Sequence, residues 1–249
     1  VAVSGGSDSM ALLHLAHDWA VSRSVALDAV TVDHGLRPEA AAEAEAAGKA
    51  ASALGVGHVT VRWQGWDGRG NLQDAARVAR RRLIADWAAG QGVPAVAFGH
   101  TLDDQAETVL LRLARGSGVD GLSGMAASTR AEGVLWLRPL LAERRADLRR
   151  WLVARGLAWV EDPSNDDTRF ARVRARRLMA GLEPLGLDPR RLARTARAMR
   201  RAREVLGAAA IDLAGRAAEV TAGAVALDRA ALAAAPEDTR LRLVAGALA

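Results

Sequence analysis

Ser4, Gly5, Gly6, Ser7, Asp8 and Ser9 form the stretch "SGGSDS". Glycines and hydroxyls at the mouth of a helix make a phosphate cradle, because unpaired backbone N–H groups and the helix dipole both favour an anion there. Asp8 stands in the middle of that cradle, where its charge would repel a phosphate. Either it offsets the dipole of the first helical turn, or it shares a Mg²⁺ with the phosphates, since hard cations take carboxylate and phosphate oxygens together. No lysine follows the last glycine, so the loop is not of the Walker A type.

A second polar stretch, "GHTLDDQAET", carries His100, Asp103, Asp104 and Glu107. The three acids fall within about one turn of 3.6 residues, and Asp104 and Glu107 share a face by their spacing of three. Two neighbouring carboxylates suit a cation; they also suit dipole compensation at a helix start. "NLQDAARVARR" puts Arg77 and Arg81 on one face of a helix that starts at Asn71, by itself an ordinary solvated helix. Twelve arginines lie between Arg169 and Arg203, against Glu183 and Asp188. Such a run is either a solvated face or a contact for RNA phosphates with salt-sensitive affinity. "GSGVDG" at 116–121 fits G-x-G-x-x-G but follows a helix, where the dinucleotide fingerprint must follow a strand.

The elements that must position these residues alternate. Residues 1–4 read as a strand end, followed by a helix through His14 and Trp19. "VALDAVTVDHGLR" is a β-branched strand ending at Gly35, and a helix opens at Pro38 and closes at Gly55. A strand at 58–63, a helix at 71–90, a strand in "VPAVAFGH" and a helix at 103–115 complete the pattern. Alternation of this kind predicts an α/β fold, a Rossmann-like parallel sheet with helices on both faces, whose ligands bind beyond the carboxyl ends of the strands. "SGGSDS", "DHGLR" and "GHTLDDQAET" all fall at such ends. Beyond residue 135 come a short apolar strand in "LWLRPLL", a helix at 143–155 and a polar loop leading into a basic helix. From Asp188 the chain reads as helices only, near 189–216, 228–234 and 236–248. The expected division is a catalytic domain at 1–183 and a smaller all-helical domain at 184–249.

Composition narrows the function. The chain has 249 residues, half of them hydrophobic, and no cysteine. That excludes disulfides, thiolate chemistry, iron–sulfur clusters and cysteine zinc sites, and it suits a cytoplasmic protein. No apolar run approaches the roughly 20 residues of a membrane span. The formal charge is +5, and Lys49 is the only lysine; an arginine-rich chain of this kind suits a polyanionic partner. Val1 already lies in a strand, so the sequence reads as a portion of a longer chain.

"SGGSDS" after a strand resembles the pyrophosphatase loop of the N-type ATP pyrophosphatases. With "VDHGLR", "NLQDAARVARR", "GHTLDDQAETVLLRLARGSGVDGLSGM", "RPLL" and "WVEDPSNDDTRFARVRAR", in that order over residues 1–178, the chain resembles the tRNA(Ile)-lysidine synthetase family. The resemblance implies ATP bound by Ser4, Gly5, Gly6, Ser7, Asp8 and Ser9, with Mg²⁺ on Asp8. It implies that Arg77 stabilises charge on the α-phosphate, that His100 lies near the nucleotide or the reacting base, and that Asp104 and Glu107 bind L-lysine and free its amine. It further implies that Arg172, Arg174 and Arg176 contact a CAU-anticodon tRNA(Ile), with Val173 standing where the family usually has asparagine. The implied reaction adenylates the wobble cytidine and then joins lysine to its C2. Alternatives are another amidoligase with the same loop, which has no need of the arginine-rich tail, another tRNA-modifying adenylating enzyme, or a nucleotide- and RNA-binding module, which has no need of Asp8, Asp104 and Glu107. A tRNA 2-thiolation enzyme would require cysteines.

Overall fold

A computed structural model describes residues 1–35, 39–64, 72–161 and 167–248. The expected helix opening at Pro38, Asn71, and residues 162–166 of the "WVEDPSNDDTRFARVRAR" stretch lie outside the described residues. The chain divides into two compact units, Val1–Thr108 with Met125–Arg190, and Val109–Gly124 with Arg191–Ala249. This is not a single cut: residues 109–124 group with the C-terminal helices, which one boundary at 183/184 does not express.

In the first unit, helix α1 (Ser7–Arg23) leads to strand β1 (Asp28–Asp33), helix α2 (Glu39–Ala53) to β2 (Gly57–Arg62), and helix α3 (Leu72–Gly90) to β3 (Ala95–Ala97). Strands β1 and β2 pair in parallel. Strand β3 pairs in parallel with β5 (Val134–Leu137), which closes an antiparallel hairpin with β4 (Ser128–Ala131). Residues 1–3 join the two sets of strands: the Val3 amide donates to Val30 (2.9 Å), and the Ala2 amide donates to Ala97 (2.9 Å). The strand sequence across the unit is therefore β2, β1, residues 1–3, β3, β5, β4. Chain order runs outward to one side from residues 1–3 and then resumes on their other side at β3. That reversal is a topological switch point, where the loops following the two strands diverge and leave a crevice.

Side chains alternate across this sheet as the two-residue period of a strand requires. Val1, Val3 and Ala29 face one layer with Leu12 and Leu13 of α1, Ala47 of α2, and Leu148 and Leu152 of α6 (Arg145–Ala154). Ala2, Val30 and Val96 face the other with Ile84, Ala85 and Ala88 of α3. Helices thus cover both faces. Trp136 on β5 is fully buried, stacked on Phe98 with centroids 5.2 Å apart. Helices α4 (Leu102–Leu113), α5 (Val119–Leu122) and α7 (Ala171–Leu182) and a 3-10 turn (Glu183–Leu185) lead to the long α8 (Pro189–Ala217).

The C-terminal unit is helical, as expected, apart from one hairpin. Strands β6 (Ala218–Thr221) and β7 (Ala224–Leu227) pair between α8 and α9 (Arg229–Ala234), ahead of α10 (Glu237–Ala247). Val220, Thr221 and Val225 favour extended backbone, and Gly223 takes the positive φ of the turn (82°). Leu213, Ala217 and Leu243 form the buried centre there. No described helix is long and apolar enough to cross a membrane.

Candidate active site

The crevice at the switch point is lined by the two polar stretches that follow residues 1–3 and β3. Gly5 adopts a left-handed φ of 81°, which a side chain would resist. Ser9 stitches the turn: its hydroxyl accepts from the Ser4 amide (3.1 Å) and donates to the Gly6 carbonyl (2.9 Å). Gly6 caps α1 with no side-chain hydrogen bond, so no side chain of the cap occupies the first amides of α1, the groups that bind anions at helix starts. The turn is braced from outside by the Val160 amide, which donates to Gly5 (2.9 Å).

Gly99 brings the second stretch against the first. A Cβ placed on it would lie 2.8 Å from the carbonyl oxygen of Asp8 and 3.0 Å from the amide nitrogen of Ser9. Two residues on, Thr101 and Asp104 cap α4 reciprocally. The amide and hydroxyl of Thr101 donate to Asp104 Oδ2 (both 2.8 Å), and the Asp104 amide donates weakly back to the hydroxyl (3.4 Å). This is the logic of a capping box. Asp103 has a different task. Its carboxylate accepts from the Arg145 amide (2.8 Å) and from Arg144 Nε (3.2 Å), so it caps α6 from a neighbouring helix.

Asp8, Asp104 and Glu107 converge on the side chain of Arg145. Its Nε donates to Asp8 Oδ2 (2.7 Å), its Nη2 to Asp104 Oδ1 (3.1 Å), and its Nη1 lies 3.5 Å from Glu107 Oε1. Glu107 is 0% exposed, and its Oε2 is buried without a hydrogen-bond partner. Arg176 donates to Glu107 Oε1 (2.9 Å), and Arg172 stands 3.6 Å from Asp104 Oδ1. Arg174 instead donates to the carbonyls of Thr168 and Arg169. Of the three arginines expected on tRNA, Arg172 and Arg176 therefore lie at the carboxylates, and Arg174 ties down its own loop. Val173 between them is buried.

The electrostatics follow from burial and from this one guanidinium. Burial pushes the Asp8 carboxyl above the usual range, with Arg145 opposing and Asp104 adding to it. Burial acts the same way on Asp104, but Arg145 and the hydrogen bonds from Thr101 outweigh it and hold the carboxyl below the usual range. His100 is pushed down to about 4, first by desolvation and then by Arg138, Arg172 and Arg77, against the pull of Asp104. Its Nδ1 is buried without a partner, and its ring packs at a tilt on Phe98. A neutral imidazole thus sits where three guanidinium fields overlap, beside an acidic centre. Arg77 is one of the guanidinium groups whose charge bears on His100.

Sequence reasoning missed Arg145, Arg149 and Arg138. Arg149 donates to the Ser7 hydroxyl (3.1 Å), one α6 turn beyond Arg145. The signal was present: Arg145 and Arg149 are four apart and flank the buried Leu148 and Leu152. What sequence lacks is the partner of that helix, α1.

Residues 1–182 match the PP-loop domain family. A tRNA(Ile)-lysidine synthase of Ruegeria pomeroyi is 52% identical over 83% of this chain and 49% of its own length. Those of a Bradyrhizobium species and of Methylobacterium nodulans are 45% and 46% identical over all of this chain and 72% and 74% of theirs. The chain thus spans from half to three quarters of the length of these curated relatives. Among solved structures, the U34-tRNA thiolase NcsA of Methanococcus maripaludis, with its 4Fe–4S cluster, superposes with a TM-score of 0.67 over 80% of this chain and 70% of that one. At 19% identity that is a likeness of fold. With the loop, the crevice and the relatives agreeing, the chain belongs to the PP-loop domain family and, within it, to the tRNA(Ile)-lysidine synthases.

Proposed function

We propose that the protein uses ATP to join L-lysine to C2 of the wobble cytidine of a CAU-anticodon tRNA(Ile), a cytoplasmic RNA, giving lysidine. The observation that carries this reading is the meeting of Asp8, at the phosphate cradle, with Asp104 and Glu107 around one guanidinium. A nucleotide end and an amine end of one crevice are what the reaction needs.

In the first step the cytidine O2 attacks the α-phosphorus of ATP, and pyrophosphate leaves. Ser4 to Ser9 cradle the departing diphosphate, and Arg77 stabilises the charge growing on the α-phosphate. Asp8 is the residue that would hold Mg²⁺, whose charge neutralises the leaving group. One hard carboxylate beside a phosphate site suits that ion, which commonly binds through one or two carboxylates plus substrate phosphates. In the second step the lysine ε-amine attacks C2 and AMP leaves. The amine must first lose a proton, and Glu107 Oε2 is the carboxylate oxygen without a partner in this centre. Asp104, engaged by Thr101 and Arg145, binds and orients the amine. His100, held neutral, abuts the base or nucleotide without adding positive charge. The cytidine leaves its stack at low cost because it lies in a loop.

The C-terminal unit selects the RNA. Arg194, Arg197 and Arg201 are exposed on α8 and recur at helical spacing, a stripe suited to phosphates. Incubation with radiolabelled lysine, ATP and tRNA(Ile) is expected to label the RNA and release AMP and pyrophosphate in equal amounts. Release of either product without RNA labelling would contradict the reading.

A further inference from the structure

Resting on this reading of the two ends, we infer that Arg145 is a positioning residue that couples them, so that filling the nucleotide end opens the amine end. The argument begins with which carboxylate oxygens are already engaged. Asp8 has Ser7 on Oδ1 (3.3 Å) and Arg145 on Oδ2 (2.7 Å). Asp104 has Thr101 on Oδ2 and Arg145 on Oδ1. A cation that takes Asp8 Oδ2, or an ammonium that takes Asp104 Oδ1, therefore competes with an arm of Arg145.

These arms cannot be released one at a time. A guanidinium is a rigid planar fork, and here its Nε, Nη2 and Nη1 face Asp8, Asp104 and Glu107 respectively. Turning it away from Asp8 disturbs the alignment of the other two arms. A positive charge arriving on Asp8 also removes the shortest of the three contacts and repels Arg145. Each event lowers the cost for an ammonium to displace the fork from Asp104 and Glu107. Those acids do not need Arg145 to stay compensated, because Arg176 remains on Glu107 and Arg172 beside Asp104. The freed guanidinium finds a counter-ion in the phosphates that arrive with the metal. Two ligands biasing one two-state side chain in the same direction must bind with positive coupling, and linkage makes it reciprocal. The chemical result is order: the amine site is uncovered when the adenylating nucleotide is in place.

The test is a binding cycle by calorimetry on the whole chain, with L-lysine as one ligand and Mg²⁺ with a non-hydrolysable ATP analogue as the other. In the wild type, the metal nucleotide is expected to tighten lysine roughly 5-fold or more, within the range of ordinary allosteric couplings. In Arg145→Ala, lysine binds more tightly without nucleotide, and the coupling falls to about twofold or less. Arg145→Lys keeps the charge on a single point that cannot span three acids, so its coupling is also reduced, and it serves where the alanine variant does not fold. A coupling in either variant equal to that of the wild type overturns the inference. So does lysine affinity that drops on removal of the guanidinium, or lysine that fails to bind the wild type beside nucleotide. Failure of the proposed function shows elsewhere, as wild-type protein that leaves tRNA(Ile) unlabelled.

Discussion

Replacing Gly99 by alanine tests whether the crevice depends on the close approach of β3 to α1. The new Cβ would stand 2.8 and 2.9 Å from the carbonyl oxygen and carbon of Asp8 and 3.0 Å from the Ser9 amide nitrogen. All three atoms belong to one peptide group, so no side chain can rotate away. Ordinary van der Waals separation begins near 3.4 Å, so the end of β3 and the first turn of α1 must move apart by about half an ångström. Overpacking of this kind costs about 1–3 kcal/mol, which lowers the unfolding midpoint by roughly 2–12 °C for a chain of this size. The displaced atoms are the backbone of Asp8, and a misplacement of about 1 Å can cost 10²-fold in rate. A fall in kcat/KM of about tenfold is expected. Gly207→Ala is the matched control. Gly207 lies inside α8, has no positive φ, and its added Cβ meets nothing within 4 Å, so there the same methyl stabilises by about 0.5–1 kcal/mol. Urea unfolding and steady-state kinetics on both variants decide the matter. A Gly99→Ala protein as stable and as active as the wild type would refute the reasoning.

Glu107→Gln removes one charge from a fully buried carboxylate facing Arg176 and Arg145. It is expected to cost about 3 kcal/mol in stability and roughly 10²–10⁴-fold in lysine transfer, with pyrophosphate release in the first step retained; equal loss of both steps would contradict its role at the amine. Because folded His100 and His34 are both held at about 4 while an unfolded histidine titrates near 6.5, the unfolded chain binds more protons as pH falls from about 6.5 towards 4. Their contribution to stability therefore declines over that window. His100→Gln should make the decline shallower than in the wild type by urea unfolding at pH 7, 6 and 5, and parallel curves would count against a depressed His100. For the RNA, the double variant Arg194→Ala with Arg197→Ala should weaken tRNA binding and make the slope of log affinity against log salt shallower by about 0.7–0.9 for each phosphate that the protein no longer neutralises. An unchanged slope in filter binding would remove α8 from the interface.

The sequence by itself determined what depends on short range. The two-residue and 3.6-residue apolar periods of 1–113 prescribe alternating strands and helices close to their observed bounds. Glycines and hydroxyls at the mouth of a helix marked the cradle, in which Gly5 takes a positive φ. Asp104 and Glu107 could be paired because three residues along a helix is a local distance. Composition did less well where a strand is four residues long. Hairpin β4–β5 was legible only at its second strand, and β6–β7 lies between the helices expected near 189–216 and 228–234, where strands of four residues are too short to show a period.

Only the tertiary structure decided which cation meets which acid. Arg144, Arg145, Arg149 and Arg150 are alike as letters, yet Arg145 reaches Asp8 across 137 residues of chain, while Arg150 pairs with Asp147 on its own helix. Arg172 and Arg176, expected on RNA, stand 3.6 and 2.9 Å from Asp104 and Glu107, a placement that their spacing in the sequence does not give. The physical reason is that a guanidinium's partner is fixed by the rotation of its helix about its axis. Apolar packing with other elements sets that rotation, here Leu148 and Leu152 of α6 in one layer with Leu12 and Leu13 of α1. The crevice has the same origin, since the reversal of strand order beside residues 1–3 is a property of the assembled sheet and of no single stretch of it.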